Sequence, residues 1–198
     1  MSSSETVAPQ GFVLEMRQKF TVLQNRYDLV GIDPAGAETA LAYAEQKRLS
    51  LKEKVTFWSS REKSAVAFTM AARNILEVLG VYDVCGPEGE LLATIRKDSK
   101  ASLLRSTYRV ELPSGSLVTG HERGQVKAVL RRVVSFGTDF PWPFPIHFDF
   151  TDQNGRPVLA VERQMRLRDV YRVPVADGTL DWRVAAALAV TVDAFMNR

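Results

Sequence analysis

Apolar and polar residues alternate with a period of two through much of the middle of the chain. Leu104, Ser106, Tyr108, Val110 and Leu112 interleave with Arg105, Thr107, Arg109 and Glu111. One face is therefore mainly apolar and the other polar, as a half-buried strand requires. Ile146, Phe148 and Phe150 alternate in the same way with His147, Asp149 and Thr151. Val66, Phe68 and Met70, and then Leu91, Ala93 and Ile95, repeat the pattern. Between these runs stand turn sequences with a glycine where the chain must reverse. Residues 83–89 precede the run 91–96, residues 113–115 precede 117–121, and residues 152–155 precede 158–162. Asp33-Pro34-Ala35-Gly36, ahead of 39–44, has the same form. Short strands joined by such turns predict hairpins strung into an antiparallel meander, hence a barrel or a sandwich.

Three segments break the alternation. Residues 48–54 suit a short helical or turn-like link. Residues 124–134 have helical spacing, with Val126, Val129, Leu130, Val133 and Val134 toward one side and Arg123, Lys127 and Arg131 recurring every four residues on another. The third runs from Asp181, an N-cap residue type, to Asn197. It is apolar nearly all the way round, interrupted only by Thr191 and Asp193. A helix of that kind is buried on most sides, and each side chain such as Leu188 or Phe195 contributes roughly 1.5–3 kcal/mol when buried. The simplest arrangement is a barrel of strands closed around it, with its many alanines letting the strands approach.

Composition narrows the class without naming a function. With 198 residues, 45% hydrophobic and 25% charged, the chain suits one globular domain over 11–198, preceded by a flexible tail over 1–10. A net charge of +3 permits phosphate-bearing partners, but nucleic-acid binding usually shows a denser basic stripe. Cys85 is the single cysteine, which excludes an intrachain disulfide and a thiolate zinc cage. The first ten residues do not read as a secretory signal. The apolar stretch 184–196 falls short of the ~20 residues that span a bilayer as a helix. The expectation is a cytoplasmic protein, at most peripheral to a membrane.

The run Tyr82-Asp83-Val84, Gly89, Leu92, Ile95, Lys97, Ser102, Arg105 and Tyr108, followed by Arg172 and by Asp181-Trp182-Arg183 through Asp193-Ala194-Phe195, is similar to the LURP-one-related family. That family belongs to the tubby C-terminal-like superfold, with the phospholipid scramblases as cousins. The resemblance covers residues 20–196. It implies a mostly β fold, a closed antiparallel barrel of about twelve strands around a central apolar C-terminal helix. It also implies phosphoinositide binding of the kind tubby domains perform through basic residues on the barrel surface. The cysteine-rich palmitoylation cluster usual in scramblases is absent, which argues against lipid flipping.

Two sets of residues are candidates for contact. Arg96, Lys97, Lys100, Arg105 and Arg109 lie around one turn and two strands. They would cradle an inositol phosphate, since guanidinium and ammonium groups pair with phosphate oxygens. The alternative is a solvated strand face, where most Arg and Lys stand. Arg123, Lys127, Arg131 and Arg132 form a stripe suited to an acidic membrane surface, or to a surface helix packed on the barrel. In the run from Phe140 to Pro145 the alternating prolines fix an extended path. Exposed, it would offer Phe140, Trp142 and Phe144 to a protein partner or a lipid interface; otherwise its aromatics tuck against the barrel. His121 and His147, the only histidines, lack the further ligands a metal would need. No nucleophile elbow, phosphate loop or dinucleotide fingerprint occurs. The expectation is a non-enzymatic module without a cofactor, binding anionic lipids or, alternatively, serving as a protein-interaction scaffold through the proline-rich run. An enzyme built on His147 and Asp149, or a scramblase-like activity, ranks third.

Overall fold

The computed structural model describes residues 12–20, 24–47, 54–73, 80–98, 107–123, 147–164, 170–176, 178 and 180–196. Among these, the alternating runs become β5 (Val66–Ala72), β7 (Leu91–Asp98), β8 (Thr107–Glu111) and β10 (His147–Thr151). The segments after the glycine turns become β3 (Glu38–Lys47), β9 (Leu117–Glu122) and β11 (Pro157–Gln164). β6 (Val81–Cys85) precedes the turn at Gly86. Four further strands carry weaker alternation: β1 (Val13–Phe20), β2 (Gln24–Ile32), β4 (Val55–Trp58) and β12 (Val170–Pro174). Each strand pairs antiparallel with its sequence neighbours, and β1 pairs with both β2 and β12, so twelve strands close into a barrel.

The axle is one helix, α1 (Trp182–Met196). Asp181 caps it: its carboxylate Oδ1 accepts the Arg183 backbone N–H at 2.8 Å, and its carbonyl accepts from Val184 and Ala185. Such a cap satisfies donors that the first turn leaves orphaned. From Val184 to Val192 no residue is more than 1% exposed. The inward positions of the strands meet it: Leu14 and Met16, Phe57, Phe68 and Met70, Ile95, Tyr108, Phe148 and Phe150, Tyr171 and Val173. The two polar residues of the helix are absorbed locally. Thr191 donates to the Ala187 carbonyl at 2.7 Å, and the Asp193 carboxylate accepts from Tyr171 at 2.7 Å and from Tyr27 at 3.4 Å.

The four glycine turns are copies of one another. In each, the glycine N–H donates to the carbonyl three residues back, and the residue bearing that carbonyl donates to the carbonyl just beyond the glycine. Gly36, Gly89, Gly115 and Gly155 all have φ between 76° and 90°. This is a type I turn closed by a left-handed residue, where a side chain would strain the backbone. All four turns gather at the end where α1 begins, and Arg183 reaches Glu90 of the β6–β7 turn at 3.9 Å. At the opposite end Phe195 packs against Tyr82, Tyr108 and Lys97.

Residues 48–53, the basic segment 124–134, the run 140–145 and the start of the alternating run at 104–106 lie outside the described residues, as does the tail 1–10.

Candidate anion-binding surfaces

Register decides which of the sequence candidates meet. Ile95 and Val110 are partners across the β7–β8 ladder and both point into the core. The next pair, Arg96 and Arg109, therefore points outward, with the two guanidinium stems directly opposite. Arg109 is paired in turn with Thr119 of β9, and Thr119 with Thr151 of β10. One cross-strand row thus presents two guanidiniums followed by two hydroxyl-bearing residues. Like charges directly opposite on a sheet are destabilising. Among the described residues the carboxylate recorded beside Arg96 is Glu111, at 4.0 Å, the outer limit of an ion pair.

Lys97 is not part of that row. One residue on, period two turns it to the inner face beside Tyr108. Its ammonium stands 4.2 Å from the centre of the Phe195 ring, at the C-terminal end of α1. The last turn of the helix has no basic residue of its own, so Lys97 supplies the positive charge that a helix C-terminus favours. Lys100 and Arg105 lie outside the described residues, between the ends of β7 and β8.

Of the second candidate set, Arg123 is described. Its backbone N–H donates to the His147 carbonyl at 2.7 Å, and its guanidinium forms two hydrogen bonds with Asp149. That contact holds the Asp149 carboxyl below its usual range. Arg123 also lies 3.9 Å from Glu162, which His147 approaches at 3.8 Å. Asp149, considered above as a partner for His147, is thus engaged by Arg123. Lys127, Arg131, Arg132, Phe140, Trp142 and Phe144 lie outside the described residues. Among the described residues no cluster of His, Cys, Asp and Glu is able to hold a metal ion. Burial and the nearby Asp83 charge push the Cys85 thiol up, away from the thiolate that reactivity needs.

A second surface, which the sequence reading missed, lies six strands round the barrel from β7. The outer faces of β12, β1, β2 and β3, walled by the β4–β5 loop, enclose a groove of about 370 Å³. Arg61 of that loop makes a forked contact with Asp28, at 2.8 Å to each oxygen, and lies over the Tyr43 ring. Arg17 is held by Glu15 and Glu38. Lys63 and Arg26 share Glu45, and Tyr43 donates to the same carboxylate at 2.6 Å. The Arg17 guanidinium holds the Glu38 carboxyl below its ordinary range, and the Tyr43 hydroxyl, followed by Lys63, does the same for Glu45. The signal available in the sequence was the Arg17 and Lys19 alternation with Met16 and Gln18, together with a turn, Ser59 to Ser64, that has no glycine.

No curated protein matches the chain. The profile of the LURP-one-related family matches residues 12–193, from just ahead of β1 to the last turn of α1, and so takes in every strand of the barrel. With the closed barrel and its central helix already evident, that match settles the kinship: the chain belongs to the LURP-one-related family.

Proposed function

We propose that this domain is a non-enzymatic binding module that docks on anionic phospholipid headgroups, of phosphoinositide type, through the outer face of β7 to β10. The observation that carries the reading is the row Arg96, Arg109, Thr119 and Thr151. Guanidiniums and hydroxyls are the groups that phosphate oxygens accept from. A multivalent phosphate seated between Arg96 and Arg109 accepts from both guanidiniums at once. The tubby resemblance points to the same ligand class. Among the described residues no helix is long and apolar enough to cross a membrane, and docking at a surface requires none.

The test is co-sedimentation of the full chain with phosphatidylcholine vesicles, with and without phosphatidylinositol bisphosphate. Binding is expected only with the bisphosphate lipid, weakening as salt screens it. The double variant Arg96→Ala, Arg109→Ala should lose at least about a hundred-fold in affinity, since it removes two charged donors and hydrogen bonds to charged groups contribute roughly 1.5–3 kcal/mol each. Binding that ignores salt, or that survives the double variant unchanged, would count against the proposal.

A further inference from the structure

The β4–β5 hairpin departs from the four glycine turns at the same end of the barrel. It runs from Ser59 to Ala65, and the left-handed position is taken by Lys63, at φ 57°. It is the one non-glycine residue with positive φ among those described. A side chain there costs of order 1–3 kcal/mol and persists only where the surroundings impose it. Here the Lys63–Glu45 and Arg61–Asp28 contacts pin the loop down over β2 and β3, which places Ser59, Ser60 and Arg61 along the groove.

With one exception, the cations lining that groove are paired directly with carboxylates. Arg17 is matched by Glu15 and Glu38, and Arg61 by Asp28. Lys19, half-buried at the groove, has no ion-pair or hydrogen-bond partner among the described residues. Its cross-strand neighbour is another cation, Arg26. Four residues back along β1, about 13 Å at the usual rise of a strand, stands Glu15, whose carboxylate Arg17 takes up; across from it Val30 and Ala40 lie side by side and give the floor its apolar part. Val170 closes one flank. The volume falls in the range of small-ligand sites, about 300–1,000 Å³.

We infer that this groove is a binding site for a small amphiphilic monoanion, a straight-chain carboxylate in the simplest case. Its head pairs with Lys19 and its chain lies over Val30, Ala40 and Val170. Lys19 asks for one negative charge and the floor asks for hydrocarbon, while the hydroxyls of Ser59 and Ser60 already contact Ser64. The site is separate from the β7–β10 face and does not depend on the reading of it.

The experiment is calorimetric titration of the full chain with decanoate and, for comparison, decanol, with amide NMR shifts to locate the site. Decanoate should bind the wild type and perturb β1, β2 and the β4–β5 loop. Decanol should bind about ten-fold more weakly, the worth of one charge-assisted hydrogen bond. Lys19→Gln should bring the two ligands level, and Ala40→Phe, which fills the floor from an exposed strand position, should abolish both. Arg96→Ala with Arg109→Ala should change neither. No binding of decanoate by the wild type overturns the inference. So does binding that Lys19→Gln and Ala40→Phe leave intact, or that the β7–β8 double variant removes.

Discussion

Gly120 offers a sharp test of how the barrel wall is packed. It lies on β9 directly opposite Phe150 of β10 and Tyr108 of β8, at an inward position. Its φ is not among the positive ones, so an alanine there meets no backbone penalty and would gain about 0.5–1 kcal/mol in strand propensity. Space forbids it. A Cβ on Gly120 would stand 2.1 Å from one carbon of the Phe150 ring and 2.4 and 2.5 Å from two others, where carbon contacts settle at about 3.5–4.0 Å. The ring must withdraw by roughly 1.5 Å to restore that contact distance. Phe150 is 1% exposed and packed beside Phe148, so it has nowhere free to go. Overpacking of this kind costs about 1–3 kcal/mol, a large share of the ~5–15 kcal/mol that holds a domain folded. Urea unfolding followed by circular dichroism should show Gly120→Ala moving the midpoint down with the slope unchanged. In a Phe150→Leu background, where the ring is gone, the same change should be neutral or stabilising. A Gly120→Ala variant as stable as the wild type, or one equally destabilised in both backgrounds, would refute the steric argument.

Two further expectations concern charge. Tyr171→Phe removes the 2.7 Å donor to the buried Asp193 carboxylate, while Tyr27→Phe removes the 3.4 Å one. Denaturant melts should place the first loss at about 1–3 kcal/mol and the second below it, and equal losses would contradict the ranking by distance. Asp83, beside Arg73 and Thr94, and Asp149, beside Arg123, both titrate below their ordinary value when folded. The folded state then resists protonation more than the unfolded chain does. This contribution is present above the unfolded value of about 3.9 and is lost as pH falls through the folded values. Arg73→Gln with Arg123→Gln should therefore flatten the acid limb of a stability–pH curve, and an acid limb parallel to that of the wild type would show that the pairs add nothing.

The parts of the fold legible in the sequence were those with one dominant physical demand. A helix apolar on every side has to be sheathed, and α1 is. A glycine between alternating runs has to take the left-handed conformation, and Gly36, Gly89, Gly115 and Gly155 do. The strands that went unread are those where the inside-out pattern is blurred. β1 carries buried Gln18 on its inner face and the ion-paired Glu15, at 9% exposure, on its outer face. β12 buries Val170 on the outer side. β4 is only four residues long. For the β7–β8 cations, residue type was enough to nominate them but parity was needed to sort them, and parity sends Lys97 indoors while Arg96 and Arg109 stay out. The groove was beyond reach of any local pattern, because its walls come from five segments that only closure of the barrel brings together.

Closure has a kinetic side. The seam between β1 and β12 joins the two ends of the sheet, and α1, which fills the lumen, follows all twelve strands in sequence. During synthesis the hairpins can pair as they appear, yet their oily inner faces have no partner until the helix is made. The chain must therefore linger as an open, sticky sheet with two unpaired margins, the condition in which proteins are most prone to associate wrongly. Once the seam zips, both margins vanish together, and every one of the twelve described strands has a neighbour on each side.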